Sequence, residues 1–295
     1  MLSYQHGFHA GNFADVHKHS LLSLVLQSLL QKDKPFIGFD LYAGRGRYTL
    51  SGSQAQKTGE YIHGIGKLWP NESRIPWPDA LNHYRQTLQL LNHNNVLQFY
   101  PGSPTLIHSA LRDNDQLQVC ELHPAELDAL KSWQPHHPKA QIHERNAHEA
   151  LSALLPPKIK RGVVLIDPSY DIKNEYLDVA HSVIEATKKW PQGIYMIWYP
   201  LLAAERHEEM IKRLLQRCKL PMLRSELQIR HNNPEGEYGG GMYGSGMLII
   251  NPPWQIDNQI KTISPWLEQL CEENIESISD EKIIGSRLIW LREAE

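Results

Sequence analysis

The sequence predicts an α/β protein with one mostly parallel sheet whose last strand runs antiparallel. Three observations carry that expectation. Apolar, strand-like runs alternate with stretches of helical spacing along most of the chain, the pattern of strands joined by crossover helices. Three of those runs end in a polar residue, at Glu121, Asn146 and Asp167, which would gather functional groups along one edge of the sheet. Only "HNNPEGEYGGGMYG" separates the last two strand-like runs. That connection is too glycine-rich for a crossover helix, so it reads as a hairpin.

The elements follow in order. "DVHKHSLLSLVLQSLLQKDKP" (15–35) spaces Leu21, Leu22, Val25, Leu26, Leu29 and Leu30 as a helix that Pro35 stops. "PFIGFDLYAGRGRY" (35–48) is a strand that breaks at Gly44. Residues 51–98 scatter Gly, Pro, Trp and His among short helical patterns. They predict a small helical subdomain inserted into a main domain formed by 1–50 and 99–295. Beyond "PGSP" (101–104) a helix near 104–112 leads to a strand at 117–124. A helix (124–133), a strand (140–147) and a helix (147–155) come next, then the strand "GVVLIDPSY". A helix of about 174–189 precedes "GIYMIWYP", one of about 202–218 precedes "SELQIR", and "SGMLIINPPW" is the seventh strand.

Composition excludes several classes. The 295 residues are 41% hydrophobic and 21% charged, the balance of a globular protein with a real core. A formal net charge of −3 rules out a global polycation, so nucleic-acid binding would rest on a local patch. Three widely separated cysteines form neither a disulfide framework nor a zinc knuckle and suggest a reducing cytoplasm. No apolar run reaches the ~18 residues of a membrane span, and the polar, histidine-rich N-terminus is no signal peptide. Oligomeric state leaves no trace in the sequence.

Two strand exits are alike: Asp167-Pro168-Ser169-Tyr170 and Asn251-Pro252-Pro253-Trp254. Both resemble the Asp/Asn-Pro-Pro-aromatic signature of enzymes that methylate exocyclic amines of nucleobases, and the second is the better match. Topology decides against it. Ligands of open parallel sheets sit beyond the carboxyl ends of the strands, where a parallel strand places Asp167. An antiparallel last strand carries Asn251 to the opposite edge. There it serves as a proline-stiffened strand exit, with Trp254 covering the bottom of the sheet.

The first strand runs into Tyr42-Ala43-Gly44-Arg45-Gly46. Gly44 and Gly46 permit a tight turn and close approach of a ligand. Glu121 is placed to hold ribose hydroxyls; the usual spacing of ~20 residues is nearly restored once the insertion is removed. Asn146 is placed for an adenine. Together they point to a nucleoside cofactor. The turn is G-x-G-x-Y, not G-x-G-x-x-G, so it lacks the third glycine that a pyrophosphate would want and fits S-adenosylmethionine better than a dinucleotide. At Asp167, an adenine N6 amine would donate to the carboxylate and to the Pro168 carbonyl, aiming its lone pair at the methyl group. Tyr170 would stack on a base turned out of its helix. His6, His9, His17 and His19 crowd the N-terminus, but their spacing makes no metal motif. This polar segment is expected to lie over the cofactor cleft, with Lys18 and His19 facing the ligand. The hairpin turn 231–246, with six glycines, Tyr238 and Tyr243, would overhang the same edge and meet RNA.

These residues resemble the RlmJ family of bacterial 23S ribosomal RNA adenine-N6 methyltransferases nearly end to end. The resemblance is carried by "LSYQHGFHAGNFADVHKH", "KDKPF", "TGEYIHGI", "YPGSP", "ELHP", "LIDPSY", "WYP" and "GMLIINPPW". It implies a Rossmann-like class I methyltransferase fold with S-adenosylmethionine as cofactor and 23S ribosomal RNA as partner. It further implies that Lys18, His19, Tyr42, Ser103, Glu121, Asn146 and Ala147 line the cofactor, beside Ala43, Gly44 and Gly46. Asp167 would be catalytic with Pro168 and Tyr170, and Tyr4 and His6 would meet the RNA with Lys18. This chain departs from the family at Tyr42, where His is usual, at Asn146-Ala147, where Asp-Gly is usual, and at Ser169, which replaces the second proline. Two alternatives stay open: the same chemistry on DNA, linked to use of external DNA, and a non-catalytic RNA-binding descendant.

Overall fold

The computed structural model describes residues 4–69, 74–232, 241–271 and 284–293. Helix α1 (Phe13–Leu30) begins at Asn12, whose side chain accepts from the Asp15 N–H at 3.0 Å. From Ala14 to Leu26 every residue of α1 is buried, because the sheet lies on one side of it and short helices on the other. A helix enclosed on all sides needs each polar side chain satisfied internally, and this governs the chemistry at its N-terminal turns.

Strand β1 (Ile37–Asp40) follows. A short ladder of β2 (Arg47–Thr49) and β3 (Phe99–Pro101) joins the ends of the next segment, with Tyr48 opposite Tyr100. Between them lie α2 (Ser53–Thr58), α3 (Glu60–His63), α4 (Ile65–Leu68) and α5 (Asn82–Leu91). Helices and strands then alternate: α6 (Ser103–Ser109), β4 (Gln116–Cys120), α7 (Pro124–Trp133), β5 (Ala140–His143), α8 (Ala147–Leu154), β6 (Gly162–Ile166) and α9 (Glu175–Lys189). The chain continues through β7 (Ile194–Leu201), α10 (Arg206–Arg217), β8 (Met222–Gln228), β9 (Gly244–Ile250), α11 (Ile256–Leu267) and β10 (Gly285–Arg292).

The main sheet has the order β10-β8-β9-β7-β6-β1-β4-β5. Strands β5, β4, β1, β6 and β7 are parallel neighbours, while β9 runs antiparallel between β7 and β8. Every residue of β1, β6, β7 and β9 is buried, as a sheet covered on both faces requires. Truncating a core leucine such as Leu165 to Ala should therefore cost about 2–5 kcal/mol. The seven expected strands are present, and the sheet has an eighth. Strand β10 adds antiparallel to β8 at the edge, and its mostly half-buried residues lack the alternation that would have marked it.

Register fixes the two edges. Tyr195 pairs with Ile250 and Leu201 with Gly244, so the end of β9 lies beside the beginning of β7, away from Asp167. There the Asn251 N–H donates to the Pro221 carbonyl at 2.8 Å, and its side-chain amide to the Pro191 and Gly193 carbonyls. Trp254 does not cover the sheet as expected: it is 86% exposed, because the chain turns away into α11 directly after it. Among the described residues no helix is long and apolar enough to cross a membrane.

Candidate active site

Three strand ends converge on one edge. Asp40, the last residue of β1, pairs with Val119 on one side and Leu165 on the other, so Glu121 and Asp167 each stand two residues beyond its partners. The chain leaving β1 is pinned to both neighbours: Leu41 N–H donates to the Leu165 carbonyl at 3.1 Å and Ala43 N–H to the Cys120 carbonyl at 3.0 Å. Gly44 then takes φ +58° and donates its N–H to Glu121 Oε2 at 2.8 Å. A Cβ here would run into the Tyr48 hydroxyl. Glu121 Oε1 accepts two more backbone bonds, from Leu122 at 2.8 Å and His123 at 2.7 Å. The carboxylate thus holds two loops in register before any ligand arrives.

A cleft opens above these strand ends. Tyr42, Ala43, Gly44, Ser103 and Glu121 line it from the sheet side. Tyr4, His6, Lys18 and His19 close it from the N-terminal segment and α1, and Asp167 stands between. A second cavity adjoins it, and the two share Tyr4, His6, Lys18, Asp167 and Ser169. Its remaining wall is largely apolar, with Ala14, Pro168, Trp198, Pro200, Leu202 and Met242.

Electrostatics differ sharply across this junction. Lys18 forms ion pairs with Asp15 Oδ1 at 2.8 Å and with Asp167 Oδ2. Burial works against the Lys18 ammonium, yet Asp15 and then Asp167 hold its pKa above the ordinary range. Asp40 is fully buried, and burial pushes its carboxyl up to about 7, against the bond from Ser103 and helped by the charge of Asp167. The four N-terminal histidines go to four different places. His6 bonds Asp15 and Tyr4, each at 2.9 Å, and His9 bonds Glu60 at 2.8 Å. His17 sits between Ser245 and Ser225, and His19 meets the Tyr100 hydroxyl at 2.8 Å. Burial lowers both His17 and His19 to about 3, so they are neutral.

Four expected site residues do not line either cavity. Tyr170 is the plain correction. It takes φ +55°, which turns its ring inward to stack on Tyr176 with centroids 4.1 Å apart, and its hydroxyl donates to the Trp198 carbonyl at 2.8 Å. A buried ring stacked on one face and tied down at its hydroxyl is not open to a base. Gly46 also has positive φ, +75°, but a Cβ there would meet the Trp133 ring at 2.9 Å, so packing explains this glycine. Asn146 caps α8, accepting from the His148 N–H at 2.8 Å, and Ala147 is buried behind it. In the hairpin turn, residues 233–240, including Tyr238, lie outside the described residues, and Tyr243 is buried. Gly244 pairs with both Leu201 and Gln228, so the turn does leave from the edge that carries Asp167.

Residues missed in the sequence are Asp15, Asp40 and the apolar wall around Trp198. The i, i+3 spacing of Asp15 and Lys18 on a helix could have revealed the first.

A doubly wound sheet whose antiparallel strands, β9 and β10, are confined to one side, and two cavities meeting at a strand-end carboxylate, define a class I methyltransferase fold. The chain belongs to the family described as ribosomal RNA large subunit methyltransferase D, RlmJ, whose model matches residues 33–282. It is 39% identical over 267 residues to ribosomal RNA large subunit methyltransferase J of Escherichia coli, covering 90% of this chain and 93% of that one. The protein of the same name from Haemophilus influenzae is 38% identical over 268 residues, with the same coverage. Among solved structures, a protein from Legionella pneumophila is similar with a TM-score of 0.80 and 31% identity, covering 97% of this chain and 99% of that one.

Proposed function

We propose that the protein methylates the N6 amine of an adenine in 23S ribosomal RNA, with S-adenosylmethionine as donor, in the cytoplasm. The observation that carries this reading is the shared wall: two cavities, the first ringed by polar side chains and the second with an apolar outer wall, meet at Asp167. A group transfer between two molecules needs that geometry. The polar cavity fits the donor. Among the described residues, the buried Nε2 of His19, which lines it, and the buried Oδ2 of Asp40 at the adjoining end of β1 have no hydrogen-bond partner, and Glu121 has accepting capacity left beyond its three backbone bonds. When bound, S-adenosylmethionine supplies an electrophilic methyl group on a sulfonium.

The chain's own residues do the rest by placement. Asp167 and the Pro168 carbonyl accept hydrogen bonds from the two amine N–H groups, which turns the nitrogen lone pair toward the donor; one of those protons leaves after the methyl group has moved from sulfur to nitrogen. Trp198, Pro200 and Met242 give the base the apolar contact expected of Tyr170. Tyr4, 36% exposed and stacked on His9, stands at the mouth. Residues 51–98 are, in this reading, an insertion into a methyltransferase domain of 1–50 and 99–295. The insertion meets the substrate side through Glu60, which bonds His9 at 2.8 Å and Asn12 at 3.0 Å.

The test is methyl transfer in vitro from labelled S-adenosylmethionine to unmodified 23S transcript and to DNA. Label should appear as N6-methyladenosine in the RNA alone and be abolished by Asp167→Ala. Label in DNA alone, or in neither, would overturn the proposal.

A further inference from the structure

The Asp15 carboxylate has three partners at the active edge, and the chemistry above does not use it. It is 1% exposed at the first turn of α1. Oδ1 takes Lys18 Nζ at 2.8 Å, and Oδ2 takes both His6 Nε2 at 2.9 Å and the Gly11 N–H at 2.8 Å. Through Lys18 it reaches Asp167; through His6 it reaches Tyr4. One side chain therefore ties the substrate-side segment to the strand end.

The charges pose a problem that Asp15 solves. Methyl transfer from a sulfonium to an amine moves a positive charge toward Asp167, and an ammonium beside Asp167 opposes it. Lys18 alone would cancel the carboxylate. With Asp15 present the buried trio of Lys18, Asp15 and Asp167 carries one net negative charge. Each member is sheltered enough, at 5%, 1% and 13% exposure, for that charge to be felt across the cleft. Burial disfavours ionisation of Asp15, yet His6 and Lys18 hold it well below the usual carboxylate range.

We infer that Asp15 is a positioning residue that acts through Lys18. Its carboxylate fixes the ammonium against Asp167 and keeps this buried trio one charge negative, which favours a cationic sulfonium over the neutral thioether left after transfer. This inference rests on the methyl-donor reading.

Calorimetry at about pH 8.5, above the ordinary imidazole range, tests it by comparing affinities for S-adenosylmethionine and S-adenosylhomocysteine. Asp15→Asn should lower affinity for the sulfonium about tenfold relative to the thioether, with thioether affinity nearly unchanged as the sign of an intact cleft. Adding Lys18→Met restores the net charge and should return the ratio to the wild-type value, the opposite of what accumulated structural damage would do. An unchanged ratio in Asp15→Asn, or a further loss in the double variant, overturns the inference. Should Asp15→Asn fail to fold, the double variant carries the test alone: wild-type preference supports the inference and a lost one refutes it. Wild-type protein that binds neither ligand would instead refute the methyl-donor reading itself.

Discussion

Replacing Glu121 by Gln isolates what its carboxylate does. The carboxylate accepts three backbone bonds, from Gly44, Leu122 and His123. An amide has one accepting oxygen. That oxygen keeps the adjacent Leu122 and His123 pair, which turns the NH2 group against the Gly44 N–H. Two donors then face each other where a charge-assisted bond stood, a loss of about 1.5–3 kcal/mol. Gly44 holds a left-handed conformation on the wall of the cleft, so the loss appears at the ligand. At about 1.4 kcal/mol per decade, S-adenosylmethionine affinity should fall roughly ten- to a hundredfold. S-adenosylhomocysteine should weaken equally, because the ribose proposed to meet Glu121 is common to both. Glu121 is only half-buried, and water will replace part of the lost bonding, so fold stability should change less than affinity. Calorimetry with both ligands, with NAD as the control that gives no heat, and a thermal melt make the measurement. Unchanged affinity in a folded variant would refute the assignment of Glu121 to the cofactor.

Three further predictions address other parts of the site. Asn251→Ala should leave turnover intact but lower stability by about 1–3 kcal/mol, since it removes two side-chain bonds and puts Ala at φ +56°. Loss of turnover in the folded variant would mean that the wrong sheet edge has been assigned. Ser169→Pro should raise kcat about two- to fivefold by restricting Pro168, whose carbonyl then needs no reorganisation. The Ser169 hydroxyl takes only a long 3.5 Å contact from the Asp171 N–H, and a fall in kcat would show that serine has a role of its own. The Asp40 carboxyl is raised in the fold to about 7, so the unfolded chain releases this proton first and stability declines between about pH 4 and 7. Asp40→Asn should escape that decline: equal to wild type below pH 4, more stable above pH 7 by up to about 4 kcal/mol. Denaturant titrations at both ends check this, and a difference independent of pH would contradict it.

The parts of the fold written as periodicity were legible. Strand and helix alternation, the antiparallel pairing of β8 with β9, and the edge on which Asp167 stands all follow from residue spacing. Strand β10 was not, because an edge strand with half-buried residues on both faces carries no alternation. Tyr170 was misjudged because a motif gives a residue's type and place but not its φ, and a positive φ points the ring into the core. Gly46 was placed in the site for the right residue type and the wrong cause, since its neighbour is the Trp133 ring. Asp15 went unnoticed because its partners lie nine residues back, one helical turn on and, through Lys18, across the sheet edge at Asp167. The spacing to Lys18 was open to a sequence reading, but only the folded chain adds His6 and Asp167.

Mass spectrometry of nucleosides from 23S ribosomal RNA tests the central claim most directly. RNA from a strain lacking this gene should have lost N6-methyladenosine at one position. The wild-type gene should restore it and the Asp167→Ala gene should not. A full complement of N6-methyladenosine in the deletion strain, or restoration by Asp167→Ala, would contradict the account.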